Sequence, residues 1–109
     1  MNDITIARKY ISKMQNASAN NIEFDLPLIS FMNVCRSKKC YYTGLPLDRK
    51  TLSVDRVNSS LGYVSGNVVA AHEQFNQFKA IIENPINKLT LDNTIKGLQK
   101  FKSKLNSQL

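Results

Sequence analysis

Tryptophan is absent from this 109-residue chain, histidine occurs once, cysteine twice, proline three times and glycine four times. Two cysteines are too few for the dense bridging of a small secreted scaffold, and they fit reduced thiols. In CRSKKC, four residues separate Cys35 from Cys40, where the usual zinc knuckle has two. A structural zinc also needs four ligands, so even a meeting of Cys40 with His72 leaves the set short and argues against zinc. No apolar run approaches the length that crosses a bilayer, and the amino terminus lacks the uninterrupted hydrophobic block of a signal peptide. Nothing joins a basic face to the large aromatic anchors of an interfacial helix. Internal repeats, low-complexity tracts and long linkers are missing too. The expectation is a soluble cytoplasmic protein without a membrane partner, folded as one domain over residues 1–109 with a modest core.

What the chain does have is positive charge: +7 net and a pI near 9.6. Such an excess most simply serves a polyanionic partner, nucleic acid first. Residues 1–50 carry eight Lys or Arg against four acids, residues 51–79 two against two, and residues 80–109 five against two. The centre is neutral and its flanks are basic. Any single lysine is still most simply a solvated side chain.

Apolar residues at helical spacing, Ile4, Ala7, Tyr10, Ile11 and Met14, predict a helix from Asp3 to about Asn16, broken by NASANN at 16–21. Asp25 followed by Leu26 and Pro27 predicts a cap with proline in the first turn of a second helix, burying Leu28, Ile29, Phe31 and Met32 and ending near Arg36. CYYTGLPL at 40–47 reads as a short strand up to Thr43, then a bend at Gly44 and Pro46. Leu52, Val54 and Val57, with Tyr63, Val64 and Val68, flank NSSLG as two strands joined by a loop. Gly66 and Asn67 open the next helix, which runs to about Glu83 before Pro85. A last helix follows Thr90, with Leu91, Ile95, Leu98, Phe101 and Leu105 on one face. The fold class expected is α+β: a helical region over 1–39, a ββα core over 40–83 and a C-terminal helix over 84–109.

At about 100° per residue, Val68, Ala71, Phe75, Phe78 and Ile82 share one arc of the helix read from Gly66, and His72, Asn76 and Lys79 the adjoining arc. On the preceding strand, Asp55 points away from Val54 and Arg56 because side chains alternate. A carboxylate oxygen from the strand and an amide oxygen from the helix make a hard-oxygen pair suited to Mg²⁺, which keeps several waters and needs few protein ligands. Taken singly, each residue has a plainer reading: Asp55 and Arg56 as charges paired on the hairpin, Asn67 as a helix cap, His72 as a packed side chain with a hydrogen-bond partner.

Together, C-x-x-T-G-x-P-L at 40–47 and D-R-V-N…G-Y…G-N-V…N-x-x-K from Asp55 to Lys79 resemble the HNH branch of the His-Me finger endonucleases, particularly small forms carried by bacteriophages and their hosts. The resemblance spans roughly the central 40 residues and rests on several ordered motifs. It implies a ββα-metal fold holding one Mg²⁺ or Mn²⁺ against a scissile phosphate, in a bacterial or phage-infected cell. Asp55 takes the position of the metal-binding acid, Asn76 that of the helix ligand, Asn67 that of the loop-bracing asparagine, and Lys79 that of a phosphate-facing base. Arg36, Lys38, Lys39 and Arg56 join Lys79 as expected nucleic-acid contacts. The main departure is Arg56, where the standard family member has the histidine that deprotonates water. A guanidinium stays protonated and makes a poor general base, though it can clamp phosphate. His72 is the alternative base if it faces the metal. The implied activity is metal-dependent hydrolysis of DNA, with Asp55, Arg56, His72 and Asn76 as catalytic candidates. The alternative is an inactive HNH-fold protein that binds nucleic acid or inhibits a host protein.

Overall fold

The computed structural model describes residues 1–109. It is an α+β protein that divides into two compact units, Met1–Asn76 and Gln77–Leu109.

In the first unit, α1 spans Asp3–Ala19. The Asn2 side chain accepts from the Thr5 N–H at 2.8 Å, meeting one of the unpaired donors of a helix start. NASANN does not break the helix at Asn16 as expected. It closes it after Ala19: Ile22 N–H reaches Ala17 O at 2.8 Å and Asn21 N–H reaches Ser18 O at 3.3 Å, with Asn21 left-handed at φ 55°. This is a Schellman closure with asparagine in the usual glycine position. The expected apolar stripe also turns out differently, since Ile4, Ile11 and Met14 are exposed while Ile6 and Ala17 are buried. Tyr10 sets this rotation. Its hydroxyl donates to Leu26 O at 2.6 Å, and its ring meets Phe24 and Phe31 edge-on, each with centroids 5.3 Å apart.

Helix α2 covers Leu28–Cys35. Pro27, not Asp25, is its N-cap residue, and no side chain caps it. Asp25 instead lies in β1, Phe24–Asp25. Phe31 and Cys35, one turn apart, face the core, whereas Leu28 and Ile29 are exposed. CYYT does not form the expected strand. Tyr41, Tyr42 and Thr43 make a turn flanked by a single bridge between Lys39 and Pro46, closed by Gly44 N–H on Cys40 O at 3.0 Å.

Strand β2, Leu52–Arg56, pairs antiparallel with β4, Val68–His72, in the register Leu52↔His72 to Arg56↔Val68. The loop between them carries β3, Tyr63–Val64, paired parallel with β1. Thus Val68 to His72 extend the hairpin instead of starting the helix. Paired with β2, the β-branched Val68 and Val69 meet their backbone bonding requirement in the ladder. Helix α3 begins only at Glu73 and runs to Glu83. The core gathers Ile6, Leu26, Phe31, Cys35, Leu52, Val54 and Ala70 on one face of the hairpin.

The second unit holds the remainder of α3 and α4, Leu91–Ser107. A capping box starts α4: Asn93 N–H donates to Thr90 Oγ1 at 3.2 Å, and Thr90 N–H to Asn93 Oδ1 at 2.8 Å, satisfying two helix-start donors reciprocally. Leu91, Ile95, Leu98, Phe101 and Leu105 follow the expected spacing and are exposed. No helix is long and apolar enough to cross a membrane.

Candidate functional site

Alternation along β2 separates two sets of side chains. Leu52 and Val54 enter the core; Ser53 and Asp55 therefore stand on the opposite face. Two residues apart on one strand, they are separated by about 7 Å. Elements from both sides meet this pair. Asn76, in the second turn of α3, donates its amide N–H to Ser53 Oγ at 2.9 Å. From the turn after Cys40, the Tyr42 hydroxyl donates to Asp55 Oδ2 at 2.6 Å, and its ring stacks on Phe75 with centroids 4.9 Å apart. The structure therefore brings Asp55 and Asn76 to the same face through Tyr42 and Ser53. Asp55 is only 6% exposed, and a carboxylate so enclosed requires donors of this kind.

The turn bearing Tyr42 is itself pinned. Tyr41 N–H donates to Ala70 O at 2.8 Å. Burial pushes the Cys40 thiol pKa up, but hydrogen bonds from the Thr43 hydroxyl and from the His72, Thr43 and Tyr42 backbone outweigh it and hold the thiol below its ordinary value. Cys40 thus ties the turn to the junction of β4 and α3.

Arg56 belongs to the other face of the hairpin. Its Nη1 donates to Ser59 O at 3.0 Å and Leu61 O at 2.9 Å, and its guanidinium lies 5.2 Å from the centre of the Tyr63 ring. Lys13 approaches the same ring at 5.7 Å; burial first, and then the Arg56 charge, lower its pKa. Asn67 is buried within the loop and does not cap a helix. It accepts from Asn58 N–H at 2.9 Å and donates to Asn58 O at 3.1 Å and Gly62 O at 2.9 Å. Arg56 and Asn67 together organise residues 57–67 between the strands. His72 is likewise not on α3 one turn before Asn76. As the last residue of β4 it stands opposite Leu52, on the side away from Ser53 and Asp55, and its Nδ1 accepts the Gln74 N–H at 3.1 Å. The misplaced helix start carried His72 with it.

Among the expected phosphate contacts, Lys38 and Lys39 are exposed. Arg36 is exposed but ion-paired with Asp3. Arg36, Lys38 and Arg49 border a recess of about 370 Å³. Lys79 lies in the second unit, where its ammonium pairs with Glu83 at 3.0 Å. Sequence reasoning passed over Tyr42 as a partner of Asp55, Ser53 as a partner of Asn76, and Arg49. Only the strand alternation that places Ser53 beside Asp55 was available to signal any of them.

No group of three or more His, Cys, Asp and Glu side chains gathers anywhere in the chain. The oxygen donors that share the outer face of β2 are instead one carboxylate, Asp55, and one amide, Asn76. Asn76 spends its nitrogen on Ser53, so its oxygen is the donor atom left for a ligand. Such a pair fits a hard cation that retains water, such as Mg²⁺.

No family model matches this chain, and no solved structure does. The chain is 29% identical over 79 residues to an uncharacterized 29.0 kDa protein in the dda-modA intergenic region of enterobacteria phage T4, an overlap covering 69% of this chain and 32% of the phage protein. It therefore spans about a third of that relative's length.

Proposed function

We propose that the protein is a metal-dependent, HNH-like endonuclease built on a ββα-metal core, hydrolysing phosphodiester bonds in DNA. The observation that carries this reading is the shared face of Asp55 and Asn76, each oriented by a second side chain. Asp55 and Asn76 are the residues that hold Mg²⁺ or Mn²⁺, and the bound ion supplies electrostatic stabilisation of phosphoryl and leaving oxygens. Tyr42 fixes the Asp55 carboxylate, and Ser53 holds the Asn76 amide by its nitrogen. Arg36, Lys38 and Arg49 contribute backbone attraction. In the reaction, water oxygen bonds to phosphorus, the bond to the leaving oxygen breaks, and the leaving oxygen gains a proton. Arg56 and His72 are engaged on the other face, so the attacking water gives its proton to solvent.

Cleavage of supercoiled plasmid with Mg²⁺ or Mn²⁺ tests the reading. Nicking that depends on the ion and disappears in Asp55→Ala supports it, and undiminished cleavage by Asp55→Ala overturns the site. The engagement of Arg56 and His72 favours a second reading, a catalytically inactive protein of this kind that binds nucleic acid or inhibits a host protein. That reading expects salt-sensitive binding without turnover under every ion tried.

A further inference from the structure

Residues 84–109 contain five lysines against one aspartate, giving this stretch +4 of the chain's +7. Four of the lysines, Lys96, Lys100, Lys102 and Lys104, lie on α4; all are exposed and none is in an ion pair. Lys96, Lys100 and Lys104 follow one another at every fourth residue, a row rising about 12 Å along the helix. An ordinary solvated face mixes signs, so that neighbours four apart attract. Past Asp92, which stands four residues before Lys96, this row has only like charges at that spacing. Gly97 lies beside it in mid-helix, where glycine weakens a helix, yet a Cβ there would meet nothing within 4 Å. Crowding inside the protein therefore does not demand the glycine.

Both locally unfavourable choices fall on one face; a polyanion lying against it relieves the like-charge repulsion, and the glycine leaves that face without a side chain in its way. We infer that the Lys96–Lys100–Lys104 face of α4 grips the sugar-phosphate backbone of nucleic acid, with Gly97 leaving room for close approach. The inference rests on the nucleic-acid reading proposed above. An anionic bilayer is the poorer fit: at about 100° per residue Lys102 falls inside the exposed apolar arc of Leu91, Ile95, Leu98, Phe101 and Leu105, where an interfacial helix keeps charge off its apolar face.

The test measures binding of a labelled 20-base-pair duplex by the full chain in EDTA, across a salt series. It compares wild type, the triple variant Lys96→Gln/Lys100→Gln/Lys104→Gln, and a charge-neutral control on the same helix, Gln99→Ala. Glutamine is a good helix former, and circular dichroism checks that α4 persists. Each neutralised phosphate contributes about 0.9 to the slope of log K against log salt, so the triple variant is expected to lose about 2.7 from it and to bind at least tenfold more weakly at low salt. Gln99→Ala should retain the wild-type slope. Wild-type slope and affinity in the triple variant overturn the α4 assignment while leaving the nucleic-acid reading in place. Absence of wild-type binding overturns both. Binding that depends on α4 without cleavage when Mg²⁺ is added supports the grip and removes only the hydrolytic reading. Capture of phosphatidylserine vesicles, but not duplex, through the same lysines also overturns it.

Discussion

Replacing Asn67 with alanine removes three hydrogen bonds at once from a residue that is 6% exposed. Two of its partner groups belong to Asn58, which is exposed and can rehydrate, while the third is the carbonyl of buried Gly62. At about 1 kcal/mol net per bond, with a larger cost where a buried group stays unmet, the loss comes to about 3 kcal/mol. That is a large share of the stability of a small domain and corresponds to about 12–24 °C in Tm. Urea denaturation followed by circular dichroism measures it, and hydrogen exchange at the Asn58 amide reports whether the loop opens first. Asn67→Asp sharpens the test. It keeps an acceptor for Asn58 N–H but sets a carboxylate against the carbonyls of Asn58 and Gly62, raising its pKa in the folded state above the unfolded value of about 3.9. Folding is then penalised in full above the raised pKa, and the penalty shrinks as pH falls through it, because the protonated acid can donate again. An Asn67→Ala variant within about 0.5 kcal/mol of wild type, the range of ordinary surface substitutions, would refute the argument that this side chain holds the loop.

Gly62→Ala puts a Cβ 2.4 Å from Glu23 O and 2.7 Å from Glu23 Cβ, forcing β3 off β1; a loss of about 2–3 kcal/mol in urea denaturation is expected, and a neutral result would mean that the backbone yields there. Arg56→His should not raise divalent-dependent plasmid cleavage, since position 56 faces away from Asp55; a large gain would show that its side chain reaches the site. Cys40→Ser should remove a pH-dependent increment of stability. The folded thiol sits below its ordinary pKa despite burial, so its contribution is fully present above the unfolded value of about 8.5 and is lost as pH falls through the folded one. Parallel stability curves for the two proteins between pH 6 and 10 would contradict this.

Helical spacing was enough to find α1 and α4, because each runs 17 residues, while the eight-residue α2 was marked by Pro27 at its start, with no side chain capping it. Spacing did not find the face that α1 buries. Ile4, Ile11 and Met14 make the stronger apolar stripe, but contacts of Tyr10 with Leu26, Phe24 and Phe31 decide the rotation, and these come from residues distant in sequence. Val68 to His72 misled because a short apolar run after Gly66 and Asn67 fits a capped helix and a strand equally well; only pairing with β2 separates the two. From that one error came the misplacement of His72. The two-residue strands β1 and β3 had no periodicity to detect, and they exist because Gly62 permits backbone contact with Glu23. Alternation along β2 already set Asp55 apart from Arg56. That Tyr42 and Ser53 orient Asp55 and Asn76 emerges only when turn, hairpin and helix are assembled.

The central claim is that Asp55 and Asn76 hold one divalent cation in common. Titrating the ¹⁵N-labelled full chain with substoichiometric Mn²⁺ tests it directly, because the paramagnetic ion broadens signals near its site. The account predicts selective broadening at Ser53, Asp55 and Asn76, reversed by excess Mg²⁺ and abolished in Asp55→Ala. Broadening centred on other residues, or unchanged in Asp55→Ala, would contradict it.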